Sequence, residues 1–555
     1  MYVNGVRVKY TPINFSPFEI PIMKRTTTFV LMFAMFSTAF SQQKLAVFNV
    51  KDYGATGSKS PTAQVAIQKA INACAAAGGG MVYLPPGEYT SGTLHLKSHV
   101  RLHIEAGATL FSIKEKSAFD KEALIYADGA ENISIEGKGT IDGQGRYEWR
   151  LNDIEDDFIR PNMDQMVAAG KPLLRSFPKK DQFGKLVLLL RCKDVRITDL
   201  SFIDSPSWTI HPYACERLVI DGVYIRSSLK DGVWADGIDP DGCKDVRISN
   251  CTIETGDDAI VFYSMNWFGP ALPCENITVT NCRLTSSSSA IKFCDGNMNA
   301  IRNVTIDNCV IRSSNRGIAF MNFDGGEVSD IVLSNLTVEC VRNDWFWWGD
   351  GDPLHFNIKR RSEVHKSIKP ENDKNPAGKI RRVLITNVIA RGYGSSICNG
   401  HPDSWLEDIT LNNVKLTLAH DPLALYDKAR SALVFRQVRN LKLKDLEILW
   451  ERPGFDKWES ALSLEEVDGL QVDRFSGMAG QTKYPAILLN QVEHAVIRNS
   501  SASAGTETFL HVIGGRSKSI LLQGNDFRLA RNPFLFDTGL IGAQIRSEGN
   551  VLSKP

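Results

Sequence analysis

The sequence predicts an all-β fold: a right-handed parallel β-helix with an N-terminal capping helix. Three observations predict it. A short phrase of alternating apolar residues recurs along the chain, an Asn recurs at one place in that phrase, and one separate segment is rich in helix formers. Repetition of this kind is typical of solenoids, in which each repeat packs only on its neighbours.

The recurring phrase predicts a strand, a corner and a second strand. Apolar and polar residues alternate in it, as in strands that turn one face inward. Copies begin at Val195, Val246, Ile277, Val304, Ile331, Val383, Ile409, Leu441 and Ala495. Asn tolerates the left-handed backbone of a tight corner, and its amide can bond to the corners above and below. It occupies the corner at Asn250, Asn281, Asn308, Asn335, Asn387, Asn413 and Asn499.

The capping helix is predicted from Thr62 to Ala77, where the glycines at 78–80 end a run of helix formers. A solenoid needs its open end covered, and this helix precedes the repeats. We predict one solenoid domain over residues 45–555, with insertions near 146–184 and 341–379. Such excursions usually rise from one face and shape a groove. The second contains the aromatic cluster Trp345–Trp348.

Residues 1–41 are predicted to be an upstream extension followed by a signal peptide that starts at Met23. Two basic residues follow Met23, an apolar run spans residues 29–36, and a small-residue cleavage site lies at 39–41. The apolar run is too short to span a bilayer. The sequence therefore predicts a secreted or periplasmic protein without a membrane span, with an internal anchor as the alternative.

The net charge of +1 gives no electrostatic reason to expect a nucleic-acid or membrane partner. No CxxC or Cys/His cluster indicates zinc, and we expect neither a metal nor another cofactor. Four cysteines recur at intervals of 31, 27 and 31 residues, which favours stacked inward thiols over cross-links. They are Cys251, Cys282, Cys309 and Cys340.

Three acids stand out in the segment from Trp234 to Ile260. Asp236 precedes the pair Asp257–Asp258 by 21 residues, about one repeat, so a coiled chain would gather all three carboxyls on one face. Crowded carboxyls cannot all ionise cheaply, which supplies the acid and the base that glycoside hydrolysis needs. The alternative is that these Asp-Gly and Gly-Asp-Asp sequences simply form turns. Asp239 flanks the acids and could tune the site or face solvent.

Two aromatic residues, Trp208 and His211, lie one repeat before the acids. Sugars present apolar faces that stack on aromatic rings, so both are candidate substrate-binding residues. A core Trp with a hydrogen-bonded His is the alternative.

Several segments resemble glycoside hydrolase family 28, the polygalacturonases and their relatives. These are FNVKDYGATG at Phe48, AIQKAINACAAAGGGMVYLPPGEY from Ala66, DSPSWTIHPYACERLVIDGV from Asp204, WADG at Trp234 and TGDDAI at Thr255. The resemblance implies inverting hydrolysis, with Asp257 as the general acid and with Asp236 and Asp258 positioning and deprotonating the water. Inversion implies carboxyl separations of roughly 6.5–9.5 Å. The implied substrate is a pectin-like polysaccharide or oligosaccharide of plant cell walls or a related polymer.

The chain departs from the family where a galacturonate carboxylate is gripped. Ser288 stands at the His of the Gly-His-Gly motif, and residues 319–321 read Ala-Phe-Met in place of Arg-Ile-Lys. Lys292 and Arg316 lie close to these positions and are candidate substitutes, because a carboxylate favours a salt-bridging cation. We therefore expect a rhamnogalacturonan-type or otherwise decorated chain over plain homogalacturonan.

Two other functions remain open. A polysaccharide lyase on the same scaffold would use a basic residue and calcium, which an Asp cluster could bind. A non-catalytic glycan-binding solenoid would carry these acids as corner residues.

Overall fold

The protein is described here by a computed structural model over residues 46–152, 175–177, 184–343, 349–364, 368–421, 429–452, 454–537 and 545–552. The predicted signal peptide, most of the first predicted insertion and the cluster Trp345–Trp348 lie outside these ranges. From Ala46 onward the chain forms one compact unit.

Three ladders of parallel strands wind along the chain, which confirms the predicted β-helix. The first ladder comprises Val47–Asn49, Gly80–Leu84, Val100–Ile104, Glu131–Gly137, Lys193–Thr198, Glu216–Asp221, Lys244–Ser249, Cys274–Thr280, Ala300–Asp307, Glu327–Cys340, Lys379–Gly392, Leu406–Leu418, Leu433–Trp450, Leu462–Gly477, Pro485–Arg498, Lys518–Gln523 and Ile545–Glu548.

The second ladder comprises Gly87–Ser91, Ala108–Ser112, Thr140–Asp142, Ser201–Ile203, Tyr224–Arg226, Thr252–Thr255, Arg283–Ser286 and Val310–Ser314, then continues in the later halves of the long strands to Ser501–Ala502. The third comprises Leu94–His95, Ala123–Asp128, Lys185–Leu190, Ile210–Tyr213, Ile260–Ser264, Ser289–Asn297, Arg316–Asn322, Asp352–Ile358, Ser396–Asn399, the first halves of three long strands, Thr506–Ile513 and Ala530–Phe536. Arg150–Asn152 and Arg175–Phe177 form a separate antiparallel pair.

The interior is a column of apolar side chains from all three ladders, because the inward face of each strand carries the apolar half of the alternation. Four rings of the third ladder stack along it: Phe262, Phe293, Phe320 and Phe356 have successive centroid distances of 5.2, 4.3 and 4.2 Å. The column fixes the register of the coils, since a slip would turn these rings outward.

The Asn corners form as the sequence predicts. All seven predicted corner residues have φ between 52° and 58°. Their amides also bond between layers: Asn387 donates to Asn335 at 3.1 Å, and Asn413 donates to Asn387 at 2.9 Å. The corners therefore form a hydrogen-bonded ladder of side chains that reinforces the backbone ladders.

The predicted capping helix spans Gln64–Ala76 and turns Ile67, Ile71 and Cys74 into the core at the first coils. The other described helices are short: Val50–Tyr53, Lys116–Ala118, Gly145–Tyr147, Arg361–Val364 and Pro370–Asn372. Within the described ranges, no helix combines the length and apolar character that crossing a bilayer requires. All eleven cysteines are buried, and none is in a disulfide. The four recurring cysteines were predicted to be inward-facing thiols of this kind.

Candidate active site

The three acids lie where the chain turns from the second ladder into the third. Asp236 precedes Ile238, which pairs in parallel with Ile260, and the N–H of Gly237 donates to the carbonyl of Asp258 at 2.9 Å. The offset between these coils is thus 22 residues. It aligns Asp236 with Asp258, whereas the 21-residue spacing singled out in the sequence aligns it with Asp257. The expected gathering of the acids on one face is found, since all three line one cavity.

Asp258 is surrounded by hydrogen-bond donors. Its Oδ1 accepts from Ser288 Oγ at 2.7 Å and from the N–H of Ser289 at 3.0 Å, and its Oδ2 accepts from Lys292 Nζ at 2.8 Å. Two of these donors come from the next coil's strand Ser289–Asn297. Three donors, one of them charged, stabilise the ionised carboxylate, so this side chain is suited to accept a proton or a hydrogen bond from water.

Asp257 receives two backbone N–H groups. Trp234 N donates to its Oδ2 at 3.0 Å, and Asp258 N donates to its Oδ1 at 3.1 Å. The Trp234 contact joins the two acid-bearing coils directly. It therefore orients the Asp257 carboxyl relative to Asp236, two residues after Trp234.

Asp236 and Asp239 are almost fully buried. Burial raises the pKa of Asp236 well above its usual value, and the nearby charges of Asp257, Asp239 and Asp258 raise it further. Burial likewise raises the pKa of Asp239. The carboxyls of the cluster therefore differ in their surroundings: Asp236 and Asp239 have raised pKa values, whereas Asp258 accepts three hydrogen bonds, one of them from an ammonium.

The cavity holding these acids has a volume of about 390 Å³, within the range of small-ligand sites. Apart from the acids it is lined by Lys185, Ser207, Trp208, Trp234, Tyr263, Trp267, Lys292 and Asp295. Trp208 stacks on Tyr263 with a centroid distance of 4.9 Å, and Trp267 lies 4.9 Å from Trp208. Trp234 and Trp267 are each almost half exposed, so aromatic surface is open to a sugar.

Not every predicted binding residue reaches the cavity. Trp208 and Lys292 line it, whereas His211, Asp239 and Ser288 are buried behind its wall. His211 Nε2 lies 3.6 Å from Asp241 Oδ2, and burial lowers the pKa of His211 well below its usual value. Asp239 and Ser288 act on the site through the acids they adjoin.

Arg316 is buried and engaged elsewhere: its Nε donates to Asp352 Oδ2 at 3.2 Å, and it does not line the cavity. Lys292 lies at the start of a chain of charges, because its Nζ is also 3.5 Å from Asp295 Oδ1. Asp295 in turn pairs with Arg361 at 3.1 Å. Burial acts to lower the pKa of Lys292, but Asp258 and Asp295 outweigh it and hold that pKa well above its usual value.

Sequence reasoning did not single out Lys185, Trp234, Tyr263, Trp267 or Asp295 as site residues. Trp234 carried a signal, since it heads the WADG segment that contains Asp236. Lys185 and Trp267 carried none, because each joins the cavity from a coil or loop whose position depends on the register. In the described part of the chain, no group of three or more His, Cys, Asp or Glu side chains is arranged to hold a metal ion.

Comparison with known proteins tests the predicted resemblance. The family model described as glycosyl hydrolases family 28 matches residues 74–345. This region belongs to family 28. The matched region contains all three acids and every predicted binding residue, so the departures at Ser288 and residues 319–321 lie within a family 28 sequence.

Two curated relatives illustrate the match. A probable polygalacturonase of Vitis vinifera is 26% identical over 267 residues, which cover 43% of this chain and 49% of the relative. An endo-polygalacturonase of Pectobacterium carotovorum subsp. carotovorum is 30% identical over 225 residues, which cover 36% and 51%. The chain spans about half the length of the curated relatives it matches.

Solved structures share the fold. An exopolygalacturonase from Thermotoga maritima superposes with a TM-score of 0.56 and 22% identity, covering 72% of this chain and 92% of that one. The family 28 exopolygalacturonase of Yersinia enterocolitica gives a TM-score of 0.56 with 19% identity and 78% coverage of both chains. At these identities the likeness confirms the β-helix.

Proposed function

We propose that this chain is an inverting glycoside hydrolase that cleaves a pectin-like polysaccharide. The observation that carries the proposal is the convergence of Asp236, Asp257 and Asp258 in one cavity beside exposed aromatic rings. Family 28 membership of the matched region, and relatives named as polygalacturonases, support the substrate class.

The proposed reaction assigns one task to each acid. Asp257 gives its proton to the glycosidic oxygen as the bond from the anomeric carbon to that oxygen breaks. A water positioned by Asp236 attacks the same carbon from the opposite face, and one of its protons passes to the Asp258 carboxylate. Asp258 suits the base because three donors stabilise its charge, while Asp236 with its raised pKa suits a hydrogen bond to the water.

The test is Asp257→Asn, which keeps the shape and one of the two acceptor oxygens but removes the acid. We expect hydrolysis of pectic oligosaccharides, followed as released reducing ends, to fall by about 100-fold or more. The matched control is Asp456→Asn on an exposed turn, which should leave hydrolysis unchanged. Proton NMR of the first product identifies its anomer.

Three results would contradict the proposal. Full activity in Asp257→Asn would show that Asp257 is not the general acid. Retention of the anomeric configuration would show that the enzyme is not inverting. Unsaturated products that absorb in the ultraviolet identify a lyase instead.

We also propose that the protein is exported, because an enzyme for a polymeric cell-wall substrate must meet that polymer outside the cytoplasm and because residues 23–41 have the composition of a signal peptide. N-terminal sequencing of the protein from the culture medium or periplasm tests this. A start near Gln42 supports it, and a start far upstream contradicts it.

A further inference from the structure

Two lysines line the cavity, and their surroundings differ. Lys292 is held by protein carboxylates, with its Nζ 2.8 Å from Asp258 and 3.5 Å from Asp295. Its charge is therefore compensated within the protein, and its first task is to stabilise Asp258. A substrate anion that approached Lys292 would compete with Asp258 for the same ammonium.

Lys185 has different surroundings. It begins the strand Lys185–Leu190 and lines the cavity beside Trp208, whose ring centroid lies 5.2 Å from its Nζ. Among the described residues, no carboxylate lies within 4.0 Å of this ammonium. The acids that act on it electrostatically, with Glu122 and Asp239 foremost, lie farther away.

A cation in this position is costly without a close counter-charge. Burial lowers the pKa of Lys185, which measures the cost of removing its ammonium from water. The cost is recovered when an anion enters the cavity and displaces the remaining water. A carboxylate on a sugar ring that stacks on the Trp208 side meets this requirement, since the ring gains aromatic contact and the carboxylate gains a salt bridge.

We propose that Lys185 is the residue that selects an acidic sugar, by pairing with the carboxylate of the uronic acid that occupies the cavity. The inference rests on the proposed function and adds to it the charge of the bound sugar and the group that reads it. It also accounts for the missing family cations at Ser288 and residues 319–321, because the cation comes from an earlier coil of the solenoid.

Binding measured without turnover tests the inference. In an Asp257→Asn background, isothermal titration calorimetry compares the binding of an oligogalacturonide with the binding of its methyl ester. We expect the protein that retains Lys185 to bind the acidic oligomer more tightly than the ester. Lys185→Met should raise the Kd for the acidic oligomer at least tenfold and lower the preference for the acid over the ester by a similar factor. Lys185→Arg should recover part of the preference because it restores the charge.

The matched control is Lys193→Met, which removes an exposed lysine of the same coil and changes the net charge equally. Circular dichroism confirms that each variant is folded. Equal loss of both ligands in Lys185→Met, or no binding of the acidic oligomer by the parent protein, overturns the inference.

The inference and the proposed function fail separately. If the Asp257→Asn variant still hydrolyses the substrate but the preference for the acid depends on Lys185, the catalytic assignment is wrong and the inference still holds. If Asp257→Asn abolishes hydrolysis but the preference for the acid does not depend on Lys185, only the inference is wrong.

Discussion

The backbone N–H of Trp234 donates to Asp257 Oδ2 at 3.0 Å, and it does so from a left-handed backbone with φ of 60°. Among the described residues with positive φ, Trp234 is the only Trp, Tyr or Phe. Left-handed backbone costs a bulky L-residue about 1–2 kcal/mol. The site thus keeps a strained residue at the point where a coil contacts the proposed acid, as strained residues at functional sites commonly do.

Relief of this strain gives the first prediction. Trp234→Asn tolerates the left-handed backbone and keeps the N–H for Asp257. We expect the free energy of unfolding to rise by about 1 kcal/mol, measured by urea denaturation. The KM for the oligosaccharide should rise as well, because a half-exposed ring leaves the cavity.

Trp267→Asn is the control for this prediction. Trp267 is exposed to a similar degree and lines the same cavity but lacks the positive φ, so its replacement relieves no strain. A Trp234→Asn variant that is less stable than the parent protein would show that the ring contributes more packing energy than the backbone costs.

The pairing of Lys292 with Asp258 gives the second prediction. Lys292→Met removes the only charged donor among the three on Asp258, so kcat should fall roughly tenfold or more, because a general base needs its ionised form. Lys292→Arg should retain more activity than the Met variant. A change confined to KM in steady-state kinetics would instead assign Lys292 to substrate binding.

The corners and the acid cluster differ in how far sequence determines them. The Asn corners were predictable because the requirement is local. A residue that tolerates left-handed backbone must follow an alternating strand, and an Asn such as Asn387 satisfies this without any contribution from distant residues. The pairing of Asp236 with Asp258 was not predictable, because it depends on the number of residues in the coil. That number varies, since the corners do not recur at a fixed spacing along the chain. Spacing alone gave 21 residues, and the structure has 22.

Lys185 shows the same limit more strongly. The strand that it begins was predictable in kind, but its place in the same cavity as Asp236 depends on how an intervening coil, Ile210–Tyr213, aligns with both neighbours. A side chain at a strand end, far from the acids in sequence, carries no local sign of that neighbourhood. Long-range register therefore determines the site, whereas local patterns determine the fold.

The Asn ladder gives the third prediction. Asn387 has φ of 55°, donates to Asn335 and accepts from Asn413. Asn387→Gly keeps a permitted backbone and loses the amide bonds, whereas Asn387→Ala loses both. We expect the Gly variant to lose about 1 kcal/mol of unfolding free energy and the Ala variant about 1–2 kcal/mol more, in thermal or urea unfolding. Equal losses would mean that the corner backbone carries no strain.

The last prediction concerns Asp241, a fully buried acid behind the cavity. Its Oδ1 accepts from Met265 N at 2.9 Å, and burial raises its pKa from 3.8 to about 7. Between these values the folded protein keeps the proton that the unfolded chain releases. The folded state then binds more protons than the unfolded state, so this group makes stability fall as pH rises from about 4 to about 7.

Asp241→Asn removes that dependence, because an amide has no proton to lose and can still accept from Met265. Urea unfolding across this pH window should therefore give a slope of unfolding free energy against pH that is more negative for the parent protein than for the variant, by up to about 1.4 kcal/mol per pH unit. The neighbouring His211, 3.6 Å from Asp241, acts in the opposite direction, since its lowered pKa costs stability as pH falls below its usual value. The exposed Asp245→Asn serves as the control and should keep the parent slope. Parallel slopes for the parent protein and Asp241→Asn would show that Asp241 is already ionised in the folded state.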